Sequence, residues 1–283
     1  MIRLFVDRLT VVDFSYLHPQ LGLLGESWLC DLELAGELDA QGMVLDFAEV
    51  KRRVKRRIDE RFDHTLIVPR RHPGLVVEAA PARQAITFPY DAGLQVVHAG
   101  PPAAICLVDA AEITPQTLAR AIEAALRPDL PASVATLSVT LREESQAGAR
   151  YQYSHGLRQH AGNCQRIAHG HRSRIEIWRN GRRDTALEQS WAERWQGVYL
   201  GTRADLTGTR VRDGIAYCRF GYRSAQGEFA LELPSDRCYL IDTDSTVEHL
   251  AQHVADSLAA ERPGVRYRVR AFEGVDKGAV AEA

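Results

Sequence analysis

Apolar residues along this chain follow two periods, and the switches between them mark out its elements. Residues 1–14 alternate as a strand, most cleanly over 3–11, and a second strand over 27–34 follows a glycine-rich turn. Then Phe47, Val50, Val54, Ile58 and Phe62 recur three or four apart. That spacing predicts one apolar face of a helix, with Asp46 as its N-cap and an end near Asp63-His64. Thr114 starts another helix with Pro115 in its first turn, and residues 136–142 alternate again towards Glu143.

The second half repeats the outer part of this pattern. Residues 151–155 and 172–178 read as strands, the latter with Ile175 and Ile177 on one face. Residues 245–251 open a helix as 114–119 do, and 265–271 alternate towards Glu273. Glu143 precedes Ala149 by six residues, and Glu273 precedes Ala279 by six. The echo predicts a tandem duplication with units 1–149 and 150–283, almost without linker, so that the units pack directly on each other. The middles read as diverged. The second half shows a helical stretch over 186–200, then strands over 214–222 and 228–233 joined by a turn at 224–227.

A length of 283 residues favours two domains, and 45% hydrophobic content supports a real core. The net charge of -2 gives no reason to expect a nucleic-acid partner. Two basic runs, 51–57 and 179–183, stand out; the first shares the spacing of Val50, Val54 and Ile58 and reads as the solvated face of a helix. A locally positive rim still steers anions. No apolar run reaches the ~18 residues of a membrane span, and no apolar leader follows the first strand. Five widely spaced cysteines without a C-x-x-C pair fit a reducing cytoplasm.

The chemistry concentrates in Cys164-Gln-Arg-Ile-Ala-His169-Gly-His171, with His155 upstream. Residues two apart on a strand share a face, so His169, His171 and His155 are able to converge on one metal ion. Three neutral, borderline-soft nitrogens with a fourth position open suit a catalytic zinc. A buried histidine is also a common hydrogen-bonded core residue. Cys164 is open to three roles: fourth ligand, catalytic thiol, or inert core thiol.

These residues resemble the 6-pyruvoyltetrahydropterin synthase and 6-carboxytetrahydropterin synthase (QueD-like) family. His155, Cys164, His169 and His171 match that family's strand-end histidine, cysteine and His-Gly-His. Gly42-Met-Val-Leu-Asp46-Phe47, the pair Asp63-His64, the helix start Ser245-Thr-Val-Glu248 and the late Glu273 match further motifs. The motifs are split. The first half has Leu24-Gly25-Glu26 where His-Gly-His is expected, with His18 the only histidine nearby upstream. The second half lacks the Asp-His pair and the Gly-Met-Val segment. Together the halves carry one complete set, which predicts a composite site.

The resemblance implies an α+β fold of two tandem tunnelling-fold units, each an antiparallel sheet with helices on one face, closing with other copies into a barrel. Family members are often hexamers of two trimeric rings, so a two-unit chain is expected to form a homo-oligomer, a trimer being sufficient. The implied activity is a zinc-dependent lyase acting on 7,8-dihydroneopterin triphosphate, of the 6-carboxytetrahydropterin synthase kind found in queuosine biosynthesis. The implied roles are His155, His169 and His171 on Zn2+, Cys164 as general base, His64 oriented by Asp63 as proton relay, and Glu273 or its counterpart Glu143 on the pterin ring. The alternatives are 6-pyruvoyltetrahydropterin synthesis, another dihydropterin side-chain cleavage, and a non-catalytic, zinc-stabilised oligomeric binding protein.

Overall fold

The computed structural model describes residues 2–38, 40, 42–91 and 93–283, apart from the side chains of Phe47 and Glu49. Met1, placed in the first strand, and the Phe47 side chain, placed in the first apolar stripe, lie outside the described residues.

The first half runs β1 (Ile2–His18), β2 (Gly22–Gly36), α1 (Phe47–Arg61), β3 (Leu66–Pro69), β4 (Val76–Ala80), β5 (Arg83–Tyr90), β6 (Leu94–Gly100), β7 (Ile105–Val108), α2 (Pro115–Leu126) and β8 (Val134–Arg142). The second runs β9 (Arg150–His155), β10 (His169–Arg179), the two-residue β11 (Arg182–Arg183), α3 (Thr185–Trp195), β12 (Val198–Thr202), β13 (Leu206–Arg212), β14 (Ile215–Ser224), β15 (Gly227–Pro234), β16 (Cys238–Ile241), α4 (Val247–Glu261), β17 (Tyr267–Phe272) and β18 (Gly278–Glu282). The order of elements is the same in both halves, apart from the additional strands β11 and β18 in the second. The middles, which read as diverged, have one plan: a helix, a short strand, three antiparallel strands, a short strand and a helix.

One sheet has the order β7-β3-β1-β2-β8 and another β16-β12-β9-β10-β17-β18, so each half builds the same layer. The hairpins β1–β2 and β9–β10 are antiparallel, while β3 and β12 join them in parallel at one side. The two helices of each half cover one face of its sheet. Val50, Val54, Ile58 and Phe62 are fully buried there with Leu118 and Ile122 of α2, as Trp191, Trp195, Leu250 and Val254 are in the second half. Each such side chain contributes roughly 1.5–3 kcal/mol by leaving water. Asp46 caps α1, its Oδ1 accepting from Ala48 N at 2.8 Å. Thr114 caps α2 and Thr246 caps α4.

A third sheet, β13-β14-β15-β6-β5-β4, takes three strands from each half and is stitched where β15 pairs with β6. Its buried face forms a core with residues of both halves. The hairpins also meet directly. A Cβ on Gly25 would lie 1.8 Å from Tyr153 O, and one on Gly170 would lie 2.6 Å from Gly25 Cα. Only glycine allows this approach. Ser15 Oγ and Ser154 Oγ hydrogen-bond beside it at 2.6 Å.

Two readings change in detail. The helix expected over 186–200 ends at Trp195, because Gly197 takes a positive φ of 68° and residues from 198 on enter β12. The glycine-rich turn before the second strand is narrower than its glycines suggest, since Gly22 and Gly25 already lie within β2. No helix of the described residues is long and apolar enough to cross a membrane.

Candidate active site

His155 closes β9 and His169 opens β10, directly opposed across the pair. His171, two residues on, keeps His169's face. The ring centroids of His155 lie 4.3 Å from His169 and 5.3 Å from His171, and the last two are 5.7 Å apart. All three rings are sealed from solvent. One nitrogen of each falls within 4.8 Å of the other two.

The other ring nitrogens of His155 and His169 are held by the chain. His155 Nδ1 donates to Ser245 O at 3.0 Å, with Ser245 Oγ at 3.1 Å, and His169 Nδ1 donates to Arg166 O at 2.9 Å. Those carbonyls only accept, so they fix the tautomer that leaves a lone pair on Nε2. Ser245 sits just before the Thr246 cap, so the start of α4 sets the orientation of His155. Among the described residues, the buried Nε2 atoms of His155, His169 and His171 have no protein partner. Buried, unpartnered lone pairs are costly. Three that converge are the donor set that zinc takes. Burial first, and then the neighbouring imidazoles, hold His155 and His169 far below the usual histidine pKa. Both rings are therefore neutral, as metal ligands must be.

Cys164 lies half-buried in the short turn Gly162–Gln165 between β9 and β10. It forms a second group with His169 and with His64 of the first half, each offering one atom within 4.8 Å of the others. The His64 ring stacks on His169 at 5.0 Å. What brings it there is the turn after α1. His64 has a positive φ of 53°, uncommon away from glycine. Two bonds to β1 hold this turn: Asp13 N donates to Asp63 Oδ1 at 2.9 Å, and His64 N donates to Asp13 O at 2.6 Å. His64 Nδ1 bonds Asp63 Oδ2 at 2.5 Å. Burial works against a charged His64, but Asp63 and Cys164 outweigh it and raise its pKa to about 10. Arg166 Nη1 of the second half donates to His64 O at 3.3 Å.

The strand registers define which residues of the two halves correspond. Ser15 pairs with Gly25, and Ser154 with Gly170. Tyr16, Leu24 and Glu26 therefore occupy the places of His155, His169 and His171. Asp13 N bonds Asp63 Oδ1 as Gln152 N bonds Gln196 Oε1, so Gln196-Gly197 stands where the first half has Asp63-His64. The same registers make Glu143 and Glu273 counterparts.

The two glutamates lie at different sites. Glu273, after β17, has Oε2 3.8 Å from Lys277 Nζ, which is 3.2 Å from Asp13 Oδ2; Asp13 Oδ1 is 3.3 Å from His171 Nδ1. Glu273 thus borders the histidine cluster. Glu143 pairs with Arg172 at 3.0 Å, and Arg172 reaches Glu26, on the opposite, histidine-free side. His18 is apart from both, its Nδ1 accepting from Gln20 N and Leu21 N. Asp13, Ser245, Arg166 and Lys277 were not legible as site residues. Asp13 meets the cluster and Lys277 across the two halves, Arg166 reaches His64 102 residues away, and Ser245 reads only as part of a helix start.

Residues 15–154 match the family model described as 6-pyruvoyl tetrahydropterin synthase. Among solved structures, a catalytic-residue mutant of Plasmodium vivax 6-pyruvoyltetrahydropterin synthase is 20% identical, covering 51% of this chain and 93% of its own, with a TM-score of 0.42. The Plasmodium falciparum 6-pyruvoyl tetrahydropterin synthase is 14% identical, covering 50% of this chain and 97% of its own, with a TM-score of 0.39. A search of the curated proteins gave no match. The family model accounts for about half of the chain, and the other half repeats the same order of elements. The chain is a member of the 6-pyruvoyl tetrahydropterin synthase family, built as two tandem tunnelling-fold units.

Proposed function

We propose that this chain is a zinc-dependent pterin lyase that acts on 7,8-dihydroneopterin triphosphate, with one composite site per chain. The observation that carries the reading is the meeting of Asp63-His64 from unit 1–149 with Cys164 and the histidine triad from unit 150–283. Neither unit holds the set alone. His155, His169 and His171 fit zinc by their donor chemistry and their unpartnered Nε2 atoms. Bound zinc would polarise the side-chain hydroxyls of the substrate and lower the cost of negative charge developing on oxygen.

The chain's own groups then divide the work. Cys164, as thiolate, removes a proton from the side-chain carbon next to oxygen. His64 stands beside Cys164, within reach of its sulfur. Asp63 fixes the His64 ring through Nδ1, leaving Nε2 to pass the proton on or return it. Glu273 accepts hydrogen bonds from the amino and N–H edge of the pterin, its two oxygens matching two donors. It is favoured over Glu143 because it borders the histidine cluster, whereas Glu143 pairs with Arg172 on the histidine-free side. Within this class the reading is a 6-carboxytetrahydropterin synthase, releasing acetaldehyde and triphosphate. Three chains would supply six units, so a trimer in the cytoplasm is part of the proposal.

The test is metal analysis of the purified protein followed by incubation with 7,8-dihydroneopterin triphosphate and identification of products by mass spectrometry. One zinc per chain and a 6-carboxytetrahydropterin product are expected. Release of 6-pyruvoyltetrahydropterin would move the assignment within the family. A metal-loaded protein that leaves the substrate intact would favour the binding-protein alternative.

A further inference from the structure

The histidine cluster belongs to the second unit, but a carboxylate of the first unit reaches behind it. Asp13, on β1, is buried, and its Oδ1 lies 3.3 Å from His171 Nδ1. The two atoms are within pairing distance, though not aligned as an ideal hydrogen bond. Ser27 Oγ donates to the same Oδ1 at 2.5 Å, and Lys277 Nζ holds Oδ2 at 3.2 Å. The carboxylate is thus held from two sides, by Ser27 of β2 and by Lys277 of the segment after β17. His155 and His169 already have carbonyls to set their tautomers. Among the described residues, His171 has no carbonyl in that role.

The corresponding place in the second unit shows the opposite chemistry. There Gln152 stands for Asp13, and its Nε2 donates to Glu26 Oε2 at 2.8 Å. Glu26 is the counterpart of His171. So an acceptor faces the imidazole on one side of the hairpin contact, and a donor faces the carboxylate on the other. Each cross-unit partner matches the residue it meets.

Resting on the zinc-site reading above, we infer that Asp13 is a positioning residue: it orients His171 from across the unit boundary, keeping its proton on Nδ1 and its lone pair on Nε2 towards the metal. Partners of this kind, one step behind the ligands, typically change metal affinity by about 10–100-fold when removed. The duplication would then bind metal tightly only when the two units are docked.

The experiment measures Zn2+ affinity by chelator competition and the visible spectrum of the Co2+-loaded protein, on the full chain. Asp13→Asn should bind Zn2+ about 10–100-fold more weakly and shift the Co2+ bands. Glu26→Gln, at the counterpart on the histidine-free side, has no link to His171 and should leave affinity within about threefold. Should Asp13→Asn fail to fold, nitrogen NMR of the zinc-loaded wild-type chain decides: Nδ1–H with metal on Nε2 is expected for His171. An Nε2–H tautomer, or wild-type affinity and spectrum in a folded Asp13→Asn, overturns the inference while leaving the zinc site standing. A wild-type chain that binds neither Zn2+ nor Co2+ overturns both.

Discussion

The histidine cluster and its counterpart occupy equivalent positions on two hairpins that touch, yet they have different chemistry. On one side His155, His169 and His171 bring three unpartnered nitrogens together. On the other, Tyr16, Leu24 and Glu26 fill the same positions, and Glu26 is tied into Gln152 and Arg172. The Asp63-His64 turn has also become Gln196-Gly197, which keeps the backbone bond to the neighbouring strand and the positive φ but has no imidazole. Ligands and relay are missing together from that site, while the backbone that would position them has the same course and also forms the contact between the units.

The largest effect expected is at the ligands. His169→Ala should lose metal and turnover together, since His169 is shared by the triad and the Cys164 group. Leu24→Ala at the counterpart should leave metal content unchanged. Zinc analysis and activity on the same preparations compare them. Retention of stoichiometric zinc by His169→Ala would remove the basis of the contrast.

Next comes the base. Cys164→Ala should keep its zinc and lose about 10²–10⁴-fold in rate, the usual cost of a positioned proton-transfer group. If it loses zinc as readily as His169→Ala, the thiol is a ligand and the proposed division of labour fails.

How much of this was visible in the sequence follows from the range of the interactions. The α1 stripe, its Asp46 cap and the Thr114 start were legible because spacing and capping are local. The hairpin at 224–227 was legible for the same reason. Strands β3 to β7 were not. Several are four or five residues long, and β4 is exposed throughout, so no alternation marks it. The matched middles were hidden because topology is kept while residues change. The residues of the site were named by family motif, but the cross-unit contacts of Asp13 and Arg166 depend on docking that no single stretch encodes.

The hairpin contact itself should respond symmetrically where the sites do not. Gly25→Ala would place a Cβ 1.8 Å from Tyr153 O, and Gly170→Ala one 2.4 Å from the same oxygen. A backbone atom cannot swing aside, so each should destabilise the chain on the order of 3 kcal/mol. Denaturant midpoints read the loss. A large effect at only one glycine would show that the units are not locked together as the geometry requires.

The smallest effect separates the two sides by pH. Burial, more than any other influence, raises the Glu26 carboxyl from 4.5 to about 7, despite Arg172 and the hydrogen bonds that favour its charged form. A carboxyl with a raised folded-state pKa binds more protons folded than unfolded between those values. Its presence therefore costs stability as pH climbs from 4.5 to 7, and the cost is constant above. The 2.5-unit difference corresponds to about 3 kcal/mol at most. Glu26→Gln keeps an acceptor for Gln152 but cannot ionise, so its stability should fall less over that interval and exceed wild type at pH 8 by up to about 3 kcal/mol. Urea midpoints at pH 5 and pH 8 measure this, with activity per bound zinc unchanged because Glu26 lies on the histidine-free side. Parallel pH profiles for the two proteins would mean that Glu26 is charged and solvated in the folded chain, and that the counterpart site is open rather than closed by its own side chains.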